Sequence, residues 1–92
     1  MPDPDEQAVQ HEFLCLLHQL KKYNTVIDDE PLCALEYQIK EGCYGRSIMI
    51  AMFIIMKITC SLVLTQEDLE DIKRYEDMLT GICHILDESE EI

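Results

Sequence analysis

Three side chains of the types that bind zinc lie close together near the start of the chain, His11, Cys15 and His18. On a helix, spacings of four and then three residues place all three on one face. A zinc site needs a fourth ligand, for which Cys83 with His84 is the candidate. No CxxC or HxxxH pair fixes a ligand geometry. We therefore expect no metal or other cofactor, and we interpret the group as surface histidines beside an ordinary cysteine.

Other groupings that could support catalysis are weak. A cysteine nucleophile would need a distant histidine brought beside it in a cleft, which a small helical domain hardly provides. The segment GCYG, residues 42–45, lacks the preceding strand and the lysine of a phosphate-binding loop. We predict no enzymatic activity and no small-molecule substrate. Thr65 with Asp68 fits an acidophilic kinase site, but the same spacing is a helix capping box.

The charge of the chain is strongly negative and uneven. Its 92 residues carry a formal net charge of -12, of which residues 65–92 contribute -8. Only seven lysines and arginines are present, and they are scattered. Binding to nucleic-acid phosphates or to anionic lipids requires clustered bases, so we predict no direct nucleic-acid partner and consider a membrane partner unlikely on this ground.

The acidic residues near the C-terminus favour one alternative function, an inhibitor or nucleic-acid mimic that blocks a basic cleft of another protein. The acidic face that would do so comprises Glu67, Asp68, Glu70, Asp71, Glu76 and Asp77. Binding of that kind should weaken steeply with salt.

The five cysteines are odd in number and widely spaced, which is typical of reduced thiols rather than of a disulfide framework. The first residues, MPDPDEQ, are acidic where a secretory or mitochondrial signal would be basic. We therefore expect an intracellular protein, cytoplasmic or nuclear.

Apolar residues recur along the chain at intervals of three and four residues, which predicts one small all-α domain. The predicted compact bundle has about four helices, at residues 5–23, 30–41, 48–63 and 66–87, followed by a frayed acidic tail at about 87–92. Gly42 is expected to cap the second helix and Gly45 to form a turn. Ser47 is expected to cap the third helix, and Thr65 opens the fourth with a capping box.

The run from Ile48 to Leu64 is the most apolar part of the chain, with fourteen apolar residues of seventeen. A bilayer-spanning helix needs about twenty, and Lys57 near its middle would cost roughly 2.5 to 3.5 kcal/mol on insertion. The other three helices each need a partner for their apolar face. We therefore favour a helix inside the bundle over a membrane span or a strand, while leaving open how much of it is core and how much is interface.

Methionines mark one side of this run. Met49, Met52 and Met56 recur at helical spacing, with Phe53 beside them. Methionine fills irregular cores and also forms adaptable binding surfaces. Because four short helices offer little surface to cover the run, we predict that this face binds a protein partner. The main functional prediction is therefore an interaction module, an adaptor, complex subunit or inhibitor, which acts as a homo- or hetero-oligomer.

Two short segments resemble histone-fold proteins. VLTQEDLEDI, residues 63–72, is similar to the second loop and the start of the third helix of that fold, and PLCALEY, residues 31–37, to the start of its long central helix. The resemblance implies one helix from Leu32 to about Cys60, and pairing with another histone-fold chain as a transcription-complex subunit. It stands as the alternative fold.

Overall fold

The structure is a computed structural model that describes residues 4–61 and 63–90, with side chains described for residues 6–61 and 63–87. Within these ranges the chain forms four α-helices: α1 (Pro4–Leu20), α2 (Asp29–Lys40), α3 (Tyr44–Ser61) and α4 (Gln66–Glu90). A short 3-10 turn, Lys21–Tyr23, continues α1. The predicted all-α bundle of four helices is confirmed, and the apolar run is helical rather than extended as far as Ser61, where α3 ends.

The four helices enclose one apolar core. The α1 helix packs against α2 and α4, and α2 packs against α3, while the contact between α3 and α4 is less extensive than any of these three. Each helix contributes fully buried side chains to the centre, for example Phe13, Leu35, Ile54 and Tyr75. The looser packing between α3 and α4 leaves one seam of the bundle open.

The start of α4 is the predicted capping box. The Thr65 backbone N–H donates to Asp68 Oδ2 at 3.1 Å, and the Asp68 backbone N–H donates to Thr65 Oγ1 at 3.2 Å. Two backbone donors that a helix start leaves free are thereby satisfied. At its other end α4 runs to Glu90, three residues beyond the predicted end, while residues 91–92 lie outside the described ranges. Fraying of this tail stays a prediction.

The end of α2 is capped by Gly42 as predicted. Gly42 has a φ of 77°, in the left-handed region that favours glycine. Its N–H donates to the Ile39 carbonyl at 3.1 Å, and the Cys43 N–H donates to the Gln38 carbonyl at 3.0 Å. This pair of bonds is a Schellman motif, which reverses the chain in a few residues.

The start of α3 differs from the prediction. The helix begins at Tyr44, so Gly45 lies in its first turn rather than in a separate turn. Ser47 is buried inside the helix, and its hydroxyl donates to the Cys43 carbonyl at 2.9 Å instead of capping the N-terminus. The Tyr44 ring stacks on Phe13 of α1, with centroids 5.9 Å apart. This tertiary contact holds an extra helical turn that local propensity does not favour.

The alternative of one central helix from Leu32 to Cys60 is wrong, because the Schellman motif at Gly42 separates α2 from α3. The two helices pack against each other instead of continuing in line. A histone-fold pair is built around such a long helix, so the resemblance does not extend to this architecture.

Candidate protein-binding face

The α3 helix has a buried side and an apolar side that the bundle leaves exposed. Its buried residues are Ser47, Ala51, Ile54, Ile55 and Ile58. The four residues predicted to bind a partner lie on the outer side, with exposed fractions of 71% for Met49, 58% for Met52, 44% for Phe53 and 55% for Met56. We call these four side chains the α3 face. The structure places all four together, as helical spacing requires.

A groove runs along one edge of the α3 face, between α3 and α4, and has a volume of about 580 Å³. We call it the α3–α4 groove. Its lining includes Met52, Met56 and Cys60 of α3, and Glu76, Leu79 and Cys83 of α4. It lies along the seam where α3 and α4 pack loosely against each other. Sequence reasoning missed the α4 side of this groove, because the apolar spacing of α4 does not show which of its residues lie beside α3.

A second groove of about 450 Å³ lies along the other edge of the α3 face, beside α2. Met49 and Phe53 line it together with Asp28, Glu30 and Lys57. The ammonium of Lys57 lies 5.6 Å from the centroid of the Phe53 ring, within cation–π range. The α3 face is therefore a ridge whose side chains divide between two grooves.

The six residues of the predicted acidic face fall into two groups. Glu70, Glu76 and Asp77 are exposed, as is Glu67, which pairs with Lys22 at 3.0 Å. The other two are used within the fold: Asp68 caps α4, and Asp71 is only 4% exposed. The structure thus leaves fewer acidic groups free on this face than the sequence suggests.

Asp71 is the centre of a polar cluster that joins the end of α1 to α4. Its Oδ2 accepts hydrogen bonds from Lys22 Nζ at 2.7 Å and from the Tyr23 hydroxyl at 2.8 Å. Its Oδ1 accepts one from Arg74, and the same Tyr23 hydroxyl lies 3.1 Å from Asp68 Oδ1. The Tyr23 hydroxyl has one hydrogen to share between two carboxylates.

The cluster perturbs the titration of its members. Burial acts to raise the pKa of Asp71, but the hydrogen bonds from Lys22 and Tyr23 and the charges of Lys22 and Arg74 outweigh it, so that the pKa lies below its ordinary value of 3.8. Burial, followed by the hydrogen bond to Asp71, raises the pKa of Tyr23 above its ordinary value of 10.0. The carboxylate is therefore ionised and the phenol neutral at neutral pH, which is the combination that the hydrogen bonds require.

The predicted metal candidates are only partly brought together. Cys15 Sγ lies 3.7 Å from His11 Nε2, whereas His18 is exposed further along α1. Among the described side chains, no three from histidine, cysteine, aspartate and glutamate are close enough to hold a metal ion. All five cysteines are free thiols.

By length and composition, α3 is the one helix among the described residues that could cross a membrane. Only 28% of it is buried in the bundle, less than is usual for a core helix that passes the same test. The exposed part of α3 is therefore the feature that a proposed function has to account for.

Comparison of the chain with protein-family models, with curated proteins and with solved structures found no match.

Proposed function

We propose that this protein is a non-enzymatic protein–protein interaction module that binds its partner through the α3 face. It would serve as an adaptor, a complex subunit or an inhibitor, with a second copy or another chain as partner. One observation carries the proposal: four large apolar side chains lie next to one another on α3 and are 44% to 71% exposed. Single exposed apolar residues need no explanation, but a contiguous patch marks an interaction surface.

The energy available from this face indicates what else the partner must contact. Fully burying one large apolar side chain contributes about 1.5 to 3 kcal/mol. Because these four are roughly half exposed, covering them would contribute about 3 to 6 kcal/mol in total. Association costs an estimated 4 to 15 kcal/mol in lost freedom of motion. The α3 face alone is therefore too small, and a stable complex also needs the grooves beside it.

The acidic-inhibitor function remains the weaker proposal, because Asp68 and Asp71 are engaged inside the fold. A membrane-inserted function is also weaker. The grooves that flank the α3 face are net acidic: Glu76 lines one, and Asp28 and Glu30 outnumber Lys57 in the other. Acidic borders repel anionic lipid surfaces and raise the cost of inserting the face between them.

The experiment compares the size of the particle that contains the protein in detergent-free extracts of the cells that produce it. The chain carries a small fluorescent tag, and particle mass is measured by size-exclusion chromatography with light scattering. Met52→Asp is compared with Tyr37→Asp, because Met52 is 58% exposed on the α3 face and Tyr37 is 61% exposed on α2. We expect both variants to unfold within about 0.5 kcal/mol of the unmodified chain, since both side chains are largely solvated.

The proposal predicts a wild-type particle heavier than the 10.7 kDa chain plus its tag. Met52→Asp should return it to the monomer mass, and Tyr37→Asp should leave it unchanged. A monomeric wild-type chain, or equal effects of the two substitutions, would refute the proposal. If the particle mass of Met52→Asp changed because the variant had unfolded, its helical circular dichroism signal would also be lost. That result would assign Met52 to the core.

A further inference from the structure

We infer that the α3–α4 groove binds an amphipathic helix with basic residues beside its apolar stripe, contributed by a different protein. The inference rests on the proposed function and specifies the partner. Three observations support it: the shape of the groove, the sign of the charge at its border, and the continuity of its wall with the exposed α3 face.

The groove has the shape of a site for a helix. On α3 its wall is formed at positions 48, 52, 56 and 60, each four residues from the next, and therefore follows one side of the helix. At 1.5 Å per residue, the distance from Ile48 to Cys60 is about 18 Å, or just over three helical turns. On α4 the opposite wall contains Leu79 and Cys83, again four residues apart. A mainly apolar groove between two helices is the kind of site into which an amphipathic helix lays its apolar side.

A small apolar ligand fits the groove less well. The sites of small ligands enclose most of the ligand surface. Here the α3 wall is itself exposed, since Met52 and Met56 are 58% and 55% accessible to solvent. An occupant that covers these side chains must extend beyond the groove onto the ridge, which a helix does and a small molecule does not.

The charge at the groove selects the chemistry of that helix. Among the side chains that the structure describes, Glu76 is the only charged one that lines the groove. The protein that surrounds the groove is acidic as a whole, with a net charge of -12 for the full sequence. A second copy would bring another -12 against this surface, whereas a helix with lysine or arginine beside its apolar stripe would be attracted to it. At physiological salt the screening length is about 8 Å, so only charges of this protein within about that distance of the bound helix contribute to the attraction.

The test titrates the full chain with two fluorescently labelled helical peptides of about 18 residues. They share one leucine pattern, with lysine at the polar positions of the first peptide and glutamate at those of the second. Fluorescence anisotropy gives the dissociation constants. We expect the lysine peptide to bind at least about tenfold more tightly than the glutamate peptide, and to retain part of its affinity at high salt because the groove is apolar.

Two substitutions locate the binding. Thr80 is exposed and lines the groove, so Thr80→Trp should fill it and weaken the lysine peptide by about tenfold or more. Its control is Thr25→Trp, at an exposed position before α2 and outside the groove. Glu76→Gln should weaken the lysine peptide about two- to fivefold, against no change for Glu41→Gln, which removes an exposed charge at the end of α2. Circular dichroism confirms that each variant remains folded.

The outcomes separate the inference from the proposed function. Equal binding of both peptides, lost only in Thr80→Trp, would overturn the basic-helix inference and leave the apolar interaction surface standing. Equal loss in Thr80→Trp and Thr25→Trp, or binding by neither peptide, would overturn the inference, while the particle-mass experiment decides the proposed function independently. Sedimentation of the chain with phosphatidylcholine vesicles, abolished by Met52→Asp, would replace a protein partner with a lipid surface.

Discussion

Replacement of Asp71 by asparagine should lower the free energy of unfolding by about 2 to 3 kcal/mol. The substitution keeps the size of the side chain but removes its charge, and turns one of its acceptor oxygens into a donor. Asp71 Oδ2 accepts hydrogen bonds from Lys22 at 2.7 Å and from Tyr23 at 2.8 Å, and Oδ1 accepts one from Arg74. In either orientation of an asparagine, its NH2 group therefore faces a donor and loses that hydrogen bond. Asp71 is only 4% exposed, so solvent has little access to replace these bonds.

The size of the loss is limited by the exposure of two of its partners. The side chains of Lys22 and Arg74 are 49% and 56% exposed, so water solvates them when the carboxylate charge is gone. The main cost therefore arises at Asp71 itself. A chain of this length is stable by roughly 5 to 14 kcal/mol, so the variant would lose a substantial fraction. Its melting temperature should fall by about 10 to 20 °C.

Urea and thermal unfolding, followed by circular dichroism, measure this effect. Glu70→Gln is the matched control, since Glu70 is exposed on the same helix and its replacement removes the same charge. We expect that control to lie within about 0.5 kcal/mol of the unmodified chain. If Asp71→Asn were no less stable than Glu70→Gln, the Asp71 cluster would not hold α1 to α4 as the geometry implies.

The pH dependence provides a second readout of the same cluster. The folded state lowers the pKa of Asp71, so its stabilising contribution is complete above the ordinary value of 3.8 and is lost as the pH falls below that value. The difference in stability between the unmodified chain and Asp71→Asn should therefore be constant from about pH 5 to 8 and should narrow below pH 3.8. A difference that stays constant down to the lowest pH at which the chain folds would contradict this assignment.

Three further predictions concern the fold, each measured as a change in the urea midpoint. Gly42→Ala should destabilise the fold by about 1 to 2 kcal/mol, because a φ of 77° is strained for alanine. Gly81→Ala, at an open position of α4, should stabilise it by about 0.5 to 1 kcal/mol. A change of the same sign in both variants would contradict the backbone assignment. Thr65→Ala should cost about 1 kcal/mol by removing the capping box, and Thr65→Ser should restore most of it. Ile54→Ala, on the buried side of α3, should lower the free energy of unfolding by about 2 to 5 kcal/mol. Met56→Ala, on the α3 face, should lower it by less than about 1 kcal/mol. Similar losses in the two variants would show that the α3 face belongs to the core.

The elements of the fold were predictable where local chemistry decides them. The spacing of apolar residues gave the helices, Gly42 gave the end of α2, and Thr65 with Asp68 gave the start of α4. Each of these signals depends on residues within one or two helical turns of one another. Sequence alone is sufficient for such features.

The features that sequence reasoning missed depend on contacts between distant parts of the chain. The early start of α3 follows from Tyr44 stacking on Phe13, thirty-one positions away in the sequence. The burial of Asp71 depends on Lys22 and Tyr23, which lie before α2. No local pattern marks one acid of an acidic helix as the buried one.

The candidate binding site also has one part that the sequence predicts and one part that it does not. Helical spacing placed the four residues of the α3 face together, and the structure leaves them exposed. The α3–α4 groove could not be predicted, because its volume depends on how far apart two helices lie once both have packed against their other neighbours. The packing of α3 and α4 also brings Glu76 and Leu79 into the lining of one groove, which no local pattern in the sequence indicates.

The most direct measurement of the central claim is site-specific photo-crosslinking in the cells that produce the protein. A benzophenone amino acid replaces Phe53 on the α3 face or, in the control, Tyr37 on α2, so that both positions carry an exposed aromatic ring before and after the change. If the α3 face binds a protein, illumination should give a discrete adduct heavier than the 10.7 kDa chain from position 53 and none from position 37. No adduct from position 53, or the same adducts from both positions, would contradict the account.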